Sequence, residues 1–590
     1  MVRHIVGIAL LFTSLLAAAE PAVDAFIRAY TNDWMRFHTD SAAAQRYFPG
    51  STGDAMERQI EPQTIAWRDS ERQLARRGLT KLRTFDRAKM TDAQRTAVDI
   101  ITWDLQTRVE GEAFQDYSFP FTQTGGAQSS LVSLMTVVHP VRTPRDADNY
   151  IARLRLVAPR MEETIVEARR LEARQLLPPK FILEATVRQI RTFLDLPPAK
   201  NPFVATFADR MEQVPGLTAA RRAQLRMEAE TITASRIYPA WKSALALIEA
   251  EIPKTNDDAG LWRFPNGVEA YNHRLKQYTT TKLTADQIHE TGLRMVAEIE
   301  GRMDTLLRQL GYNEGSVRVR MDKMRADQPQ FPNTAEGRAE YSALIAQIIA
   351  DAEKRSALLF DRVPKAKVIA QAYPEFMGPR APSYTIAAPD GSRPGTYQYP
   401  VVGVPLTRFG IRTIAYHEAV PGHHFQGALQ MEDTALPEFL QKRIFGNNSA
   451  IGEGWGLYAE RVAAEEGWYE GDPVGLLGQL DASVFRARRL VVDTGIHAKR
   501  WSRQQAIDYL GPNPAGSAVS EVERYVAGPG QACSYMIGEL KIVELRERAK
   551  KALGARFSLR EFHNVVLGAG RVPLDVLEQD VDRWIKTKQG

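Results

Sequence analysis

Apolar residues recur at three- and four-residue spacing from about residue 22 to residue 310, between turns marked by Pro and Gly, which predicts helix after helix. Two stretches carry this reading. Across residues 147–174, Ile151, Leu154, Met161, Ile165, Val166 and Leu171 fall on one stripe among Arg and Glu, as a core-facing helix requires. Thr284-Ala285-Asp286-Gln287 has the spacing of a capping box; Ile288, Val296, Ile299, Met303, Leu306, Leu307 and Leu310 then repeat until Gly311 predicts a stop. These positions are read as packing residues without a functional role.

The period changes after a helix around residues 341–352. Between residues 367 and 402, β-branched and aromatic side chains mix with Pro and Gly. There, Ser383-Tyr384-Thr385-Ile386 and Thr396-Tyr397-Gln398-Tyr399 flank a turn at Asp390-Gly391. This predicts one small sheet. Helical spacing resumes at Thr407 and runs to the C-terminus, so the fold class is mainly α with a single short β element just before the most unusual segment of the chain.

Composition narrows the partners. The 590 residues are 44% hydrophobic and 25% charged, an ordinary globular balance, and 76 basic against 71 acidic residues leave a formal charge of only +5 with no long Lys or Arg run. Nothing here asks for nucleic acid. At the start, Arg3 precedes a nearly all-apolar run over residues 5–16, and Ala17-Ala18-Ala19 supplies the small residues of a cleavage site. The run is shorter than the roughly 20 residues that span a bilayer, and no Cys follows it to take a lipid, so the expectation is a cleaved leader over 1–19 and export to the periplasm or medium, with no membrane span afterwards. The only cysteine is Cys533, in an apolar-aromatic stretch where a buried inert thiol is expected.

The chemistry concentrates in His417-Glu418-Ala419-Val420-Pro421-Gly422-His423-His424, three histidines and a carboxylate in eight positions of a chain with only 10 histidines. In a His-Glu-x-x-His helix the two imidazoles lie one turn apart and reach one zinc ion, while the Glu is aimed at a water activated by the ion. Here the residue four after His417 is Pro421, which cannot ligate, so a straight helix fails. Pro421 removes a backbone donor and Gly422 accepts almost any dihedral, so a break at this step absorbs two extra residues and brings His423 to the second-ligand position. His424 lies roughly 10 Å from His417 along a straight axis and ranks below His423, though spacing alone leaves the choice open. Glu453, among Gly452, Gly454 and Gly456, is the third candidate, against the plainer reading that it caps a helix. Glu460, two turns on, is placed to orient a ligating imidazole.

The run His417-Glu418-Ala419-Val420-Pro421-Gly422-His423-His424, followed by Gly452-Glu453-Gly454-Trp455 and Val492-Asp493-Thr494-Gly495-Ile496-His497, resembles the bacterial family of uncharacterised function DUF885. That family is grouped with gluzincin metallopeptidases, near the helical carboxypeptidase Taq and oligopeptidase types. The resemblance implies a helical fold with a deep central cleft and a small sheet next to the metal-binding helix. Aligning Gly422-His423 on the Gly-His of a His-Glu-x-Gly-His motif favours His423 as ligand. The departure is a two-residue enlargement.

The expectation is therefore one zinc ion held by His417, His423 and Glu453, with Glu418 as general base of amide hydrolysis on short peptides. Such an enzyme wants a further oxyanion donor, for which His497, with Asp493 four residues earlier, and Tyr535 are candidates. A substrate carboxylate calls for a cation, Arg489 or Arg524, and the β element offers Tyr384, Tyr397 and Tyr399 to a cleft, with Tyr397 expected to meet substrate. His139, His273, His289 and His563 stand alone and read as satisfied surface or interface residues. Residues 20–310 are taken as an N-terminal helical region and 311–590 as the catalytic region. A zinc amidase or esterase on a non-peptide substrate, or a zinc-containing binding protein without turnover, are the competing classes; oligomeric state is not legible.

Overall fold

The computed structural model describes residues 21–373, 381–387, 394–511 and 517–590. The leader expected over 1–19 and the turn expected at Asp390-Gly391 lie outside them. Among these residues the fold is mainly α, with one three-stranded sheet.

Both sample helices form where the periodicity puts them. The stripe over 147–174 is the helix Pro144–Ala173, with Ile151, Leu154, Met161, Ile165 and Leu171 buried; Val166 is 68% exposed, off the stripe by one position. Its start comes from Thr143, whose hydroxyl accepts from Asp146 N–H while the Asp146 side chain returns the bond. The Thr284–Gln287 capping box opens the helix Ala285–Gln309, and Gly311 follows at φ +89°, a conformation that glycine adopts without strain.

The sheet has the order β1(Val368–Ala372), β3(Gly395–Tyr399), β2(Ser383–Thr385). β2 and β3 are antiparallel with Tyr384 opposite Tyr397, as the two β-rich stretches predict. β1 was not legible in the sequence; it pairs in parallel with β3, which makes β3 the central strand. The sheet's neighbour on the chain is the helix Ile411–Glu418, which carries the first candidate ligand, His417, in its last turn.

One large core draws side chains from both sides of residue 310, from Val23 and Ile27 through Met295 and Met303 to Trp455, Leu490 and Ile585. One close rod-to-rod packing joins the helix Ala285–Gln309 to the helix Pro473–Ala498. A methyl group on Gly292 would stand 2.7 Å from Val491 Cγ2 and 2.8 Å from Leu490 Cβ, so only glycine lets the rods approach this far. A second core, built around Leu154, Phe203 and Trp241, lies wholly in the first half. Cys533 is fully buried, beside Tyr271 and Asp493. Among the described residues no helix is long and apolar enough to cross a membrane.

Candidate metal centre

The helix Ile411–Glu418 stops one residue after His417, and a new helix begins at His423 and runs to Glu432. Between them Ala419 and Gly422 leave helical dihedrals and the Val420–Pro421 peptide is cis. Gly422 folds back onto the turn it has just left: a Cβ there would lie 1.9 Å from the His417 carbonyl oxygen, so no other residue fits. Phe425 N–H closes the step by donating to Ala419 O at 3.3 Å. The two extra residues are thereby looped out, and the rings of His417 and His423 meet edge to face with centroids 4.7 Å apart.

The third partner arrives on the helix Ser449–Glu465. Trp455 Nε1 donates to Pro421 O at 2.8 Å, which pins this helix to the break, and three glycines each admit one close neighbour. Gly452 lies under the Arg571 guanidinium, Gly454 meets the Gly538 backbone of the helix Ser534–Leu553, and Gly456 lies beneath the His417 ring, 2.6 Å from where its own Cβ would be. Glu453 sits in the second turn and does not cap the helix, a place held by Asn448.

The donor atoms converge. Oε2 of Glu453 lies 3.3 Å from His423 Nε2 and 3.6 Å from His417 Nε2, and one ligand atom from each residue falls within 4.8 Å of the others. Bonds of about 2.0–2.1 Å to one tetrahedral ion set ligand atoms roughly 3.3–3.4 Å apart, which the two separations from the Glu453 oxygen match. His417 Nδ1 is engaged by Glu460 Oε1 at 2.7 Å, with Glu460 fully buried and Arg486 Nη2 3.7 Å behind it. That bond fixes the tautomer with Nε2 turned to the centre. His424 is excluded by its own partners, Tyr384 Oη at Nδ1 and Ala366 O at Nε2, each at 3.0 Å.

Glu418, His417, His423 and Glu453 line one cavity of about 330 Å³, together with Ser383 and Tyr384 of β2 and Phe485, Arg486, Arg489, Glu521 and Tyr535. Burial, with the Glu453 and Glu460 carboxylates adding to it, raises the Glu418 carboxyl to about 7, against the pull of His417. Burial works against ionisation of Glu453 too, yet His423 and His417 hold it well below the usual carboxylate range. Burial also lowers His423 to about 4, whereas in His417 the Glu453 and Glu460 carboxylates overcome burial and raise the imidazole to about 9.

The remaining expected residues divide. Arg489 and Tyr535 line the cavity, with the guanidinium 4.5 Å over the Tyr535 ring, bonded through Nη2 to Glu521 and through Nε to Tyr525. Arg524 does not reach it; Glu521 and Gln531 occupy its nitrogens. His497 is buried away from the site, Nδ1 accepting from Leu261 N–H at 3.2 Å and Nε2 meeting Tyr525 O at 3.1 Å, which leaves no donor for an oxyanion. Asp493 does not hold its ring but accepts from Tyr271 O–H and Gly530 N–H. Tyr397 is 2% exposed on the central strand and faces a neighbouring cavity instead. His139, His289 and His563 are satisfied, but in the interior. Glu521, Phe485 and Arg486 were not anticipated. Glu521 gave one faint signal, standing three residues before Arg524; against its burial, Arg489 and Arg524 hold it far below the usual carboxylate range.

A family model described as "Bacterial protein of unknown function (DUF885)" matches residues 48–581. The chain belongs to the DUF885 family. Its likeness to solved structures extends over nearly the whole length. A candidate lipoprotein from Colwellia psychrerythraea is 31% identical over 96% of this chain and 99% of its own, with a TM-score of 0.87. A candidate lipoprotein of unknown function from Shewanella oneidensis, 18% identical over 94% of this chain and 99% of its own with a TM-score of 0.70, shares the fold of this DUF885 chain. No curated protein matches it.

Proposed function

We infer that this DUF885 protein is an exported zinc-dependent hydrolase, a metallopeptidase of carboxypeptidase or oligopeptidase type acting on short peptides. The single observation that carries the reading is the convergence of His417, His423 and Glu453 donor atoms in the cavity that also holds Glu418. Two imidazoles and one carboxylate are a donor set that suits zinc. When bound, the ion supplies Lewis acidity towards a carbonyl oxygen and a water molecule.

The protein's own groups supply the rest. A carboxyl that titrates near 7 is matched to taking a proton from water and returning it to a leaving amine at neutral pH, the role given to Glu418. Tyr535, kept protonated by burial, is a donor for a developing oxyanion. Arg489 provides a positive charge in the cavity wall for a substrate carboxylate. A cavity of about 330 Å³ admits a few residues of an extended peptide and excludes a folded chain. Export is supported by the apolar run over residues 5–16 before Ala17-Ala18-Ala19, and by the lipoprotein description of the Colwellia relative.

The test is metal analysis of the purified chain together with a pooled peptide digest read by mass spectrometry. Zinc near one equivalent and cleavage that Glu418→Gln abolishes while retaining zinc are expected; zinc retained with no cleavage of any peptide by the native chain would turn the reading to a binding protein.

A further inference from the structure

A second cavity, of about 450 Å³, opens beside the metal cavity, and Pro382, Ile414 and Ala482 form walls of both. Its character is different. Tyr341, Tyr397, Tyr399, Val404, Phe409 and Ile411 line it, so it presents aromatic and aliphatic surface where the metal cavity presents carboxylates and imidazoles. Among the described residues of its lining the one ion pair, Arg325 with Asp481, is self-compensated.

The helix Pro473–Ala498 runs past both cavities as a common wall. Gly478, Ala482, Phe485 and Arg489 recur at four-, three- and four-residue steps and so lie on one stripe; Gly478 and Ala482 face the apolar cavity, Ala482, Phe485 and Arg489 the metal cavity. At the far end of this stripe the charges do not cancel. Arg489 and Arg524 share the one carboxylate of Glu521, and Arg489 Nη1 is buried without a hydrogen-bond partner among the described residues. At 1.5 Å per residue, Arg489 stands roughly 10 Å from Ala482 and roughly 16 Å from Gly478 along the axis. An extended peptide covers about 3.3 Å per residue, so this interval holds about three to five residues with the metal-binding groups beside it.

The geometry points to a peptide read at two ends: a free C-terminal carboxylate at Arg489, and a large apolar or aromatic side chain, N-terminal to the scissile bond, in the cavity lined by Tyr397, Tyr399 and Phe409. This deepens the peptidase reading and rests on it for the word scissile, but the two-ended selectivity is a property of binding alone. A small or charged side chain at the same position leaves the apolar walls uncovered or strands its charge on them.

The experiment is calorimetric titration of the full chain as Glu418→Gln with zinc, and of the zinc-free native chain as a second measurement, using acetyl-Phe-Ala-Ala-Ala, acetyl-Ala-Ala-Ala-Ala and the amide-capped acetyl-Phe-Ala-Ala-Ala. The Phe peptide binds at least about tenfold more tightly than the Ala peptide. Capping the carboxylate costs at least about tenfold. Val404→Trp, which fills the apolar cavity from a partly exposed position, cuts the Phe to Ala ratio to below about threefold. Equal affinities for the Phe and Ala peptides, or for the capped and free forms, in both proteins overturn the proposal. Selective binding with no cleavage by the native zinc enzyme sinks the peptidase reading and leaves the two-ended site standing.

Discussion

Nδ1 of His417 meets Oε1 of Glu460 at 2.7 Å inside a wall that excludes solvent from both groups. The ring is thus held in one orientation and one tautomer by a residue 43 positions downstream that does not itself reach the centre. Glu460→Gln keeps the shape but reverses part of the hydrogen bonding. We expect zinc affinity to fall about 10–100-fold, read by competition with a chromophoric chelator, with the helical circular dichroism preserved. Unchanged affinity would show that the ring needs no such brace.

His423 and His424 are adjacent and have opposite duties. His423→Ala should abolish stoichiometric zinc. His424→Ala should keep it, and instead lower the melting temperature by removing the links to Tyr384 and Ala366 that tie the helix His423–Glu432 to the sheet region. Metal content by atomic emission on both variants decides this; zinc lost from the His424 variant alone reverses the assignment.

The glycines of the helix Ser449–Glu465 separate stability from metal binding. In Gly454→Ala the added methyl meets backbone atoms of Gly538 at 2.5–2.6 Å, which neither helix can yield without moving apart, so a loss of about 1–3 kcal/mol in chemical denaturation is expected. In Gly456→Ala the nearest atoms the methyl meets belong to the His417 ring, a side chain that gives way at the cost of its bond to Glu460. That variant should fold with a smaller loss and bind zinc poorly. A Gly456 variant with native zinc affinity would contradict the close approach of ring and helix.

Glu251, at the end of the helix Tyr238–Glu251, has Oε1 buried without a hydrogen-bond partner among the described residues, and burial, then Glu172, raises its carboxyl from 4.5 to about 7. The folded state therefore favours the protonated form. This contribution to stability is complete below pH 4.5 and is lost as pH rises through about 7. Glu251→Gln, neutral at every pH, should remove that decline and gain about 3 kcal/mol over the native chain at pH 8. Parallel pH profiles of urea midpoints for the two proteins would refute it.

What the sequence made legible followed rules that act along the chain. Stripes, the capping box at Thr284 and the unusual density of histidine are local, and the Pro421-Gly422 step announced a break because those two residues act on their own backbone. What it hid depended on which neighbour the fold brings near. Asp493 and His497 share a helical face, yet Tyr271 and Gly530 claim the carboxylate while Leu261 and Tyr525 claim the ring, contacts over 28 to 236 positions. β1 escaped notice because five residues of half-exposed alternation are too short to stand out from a loop, and its partner strand is 27 positions away. Tyr397, expected to meet substrate, stands on the central strand of the sheet and lines the apolar cavity beside the metal cavity, a place set by the pairing of β3 with both neighbours.

The contact at Gly292 reaches further than its own packing. The rod it touches carries Arg489 and Phe485 on its opposite face, so a bulkier residue at 292 pushes from behind and tilts the stripe towards the ligand cavity. A substitution nearly two hundred positions upstream of Arg489 thereby acts on the width of the cavity that Arg489 and Phe485 line.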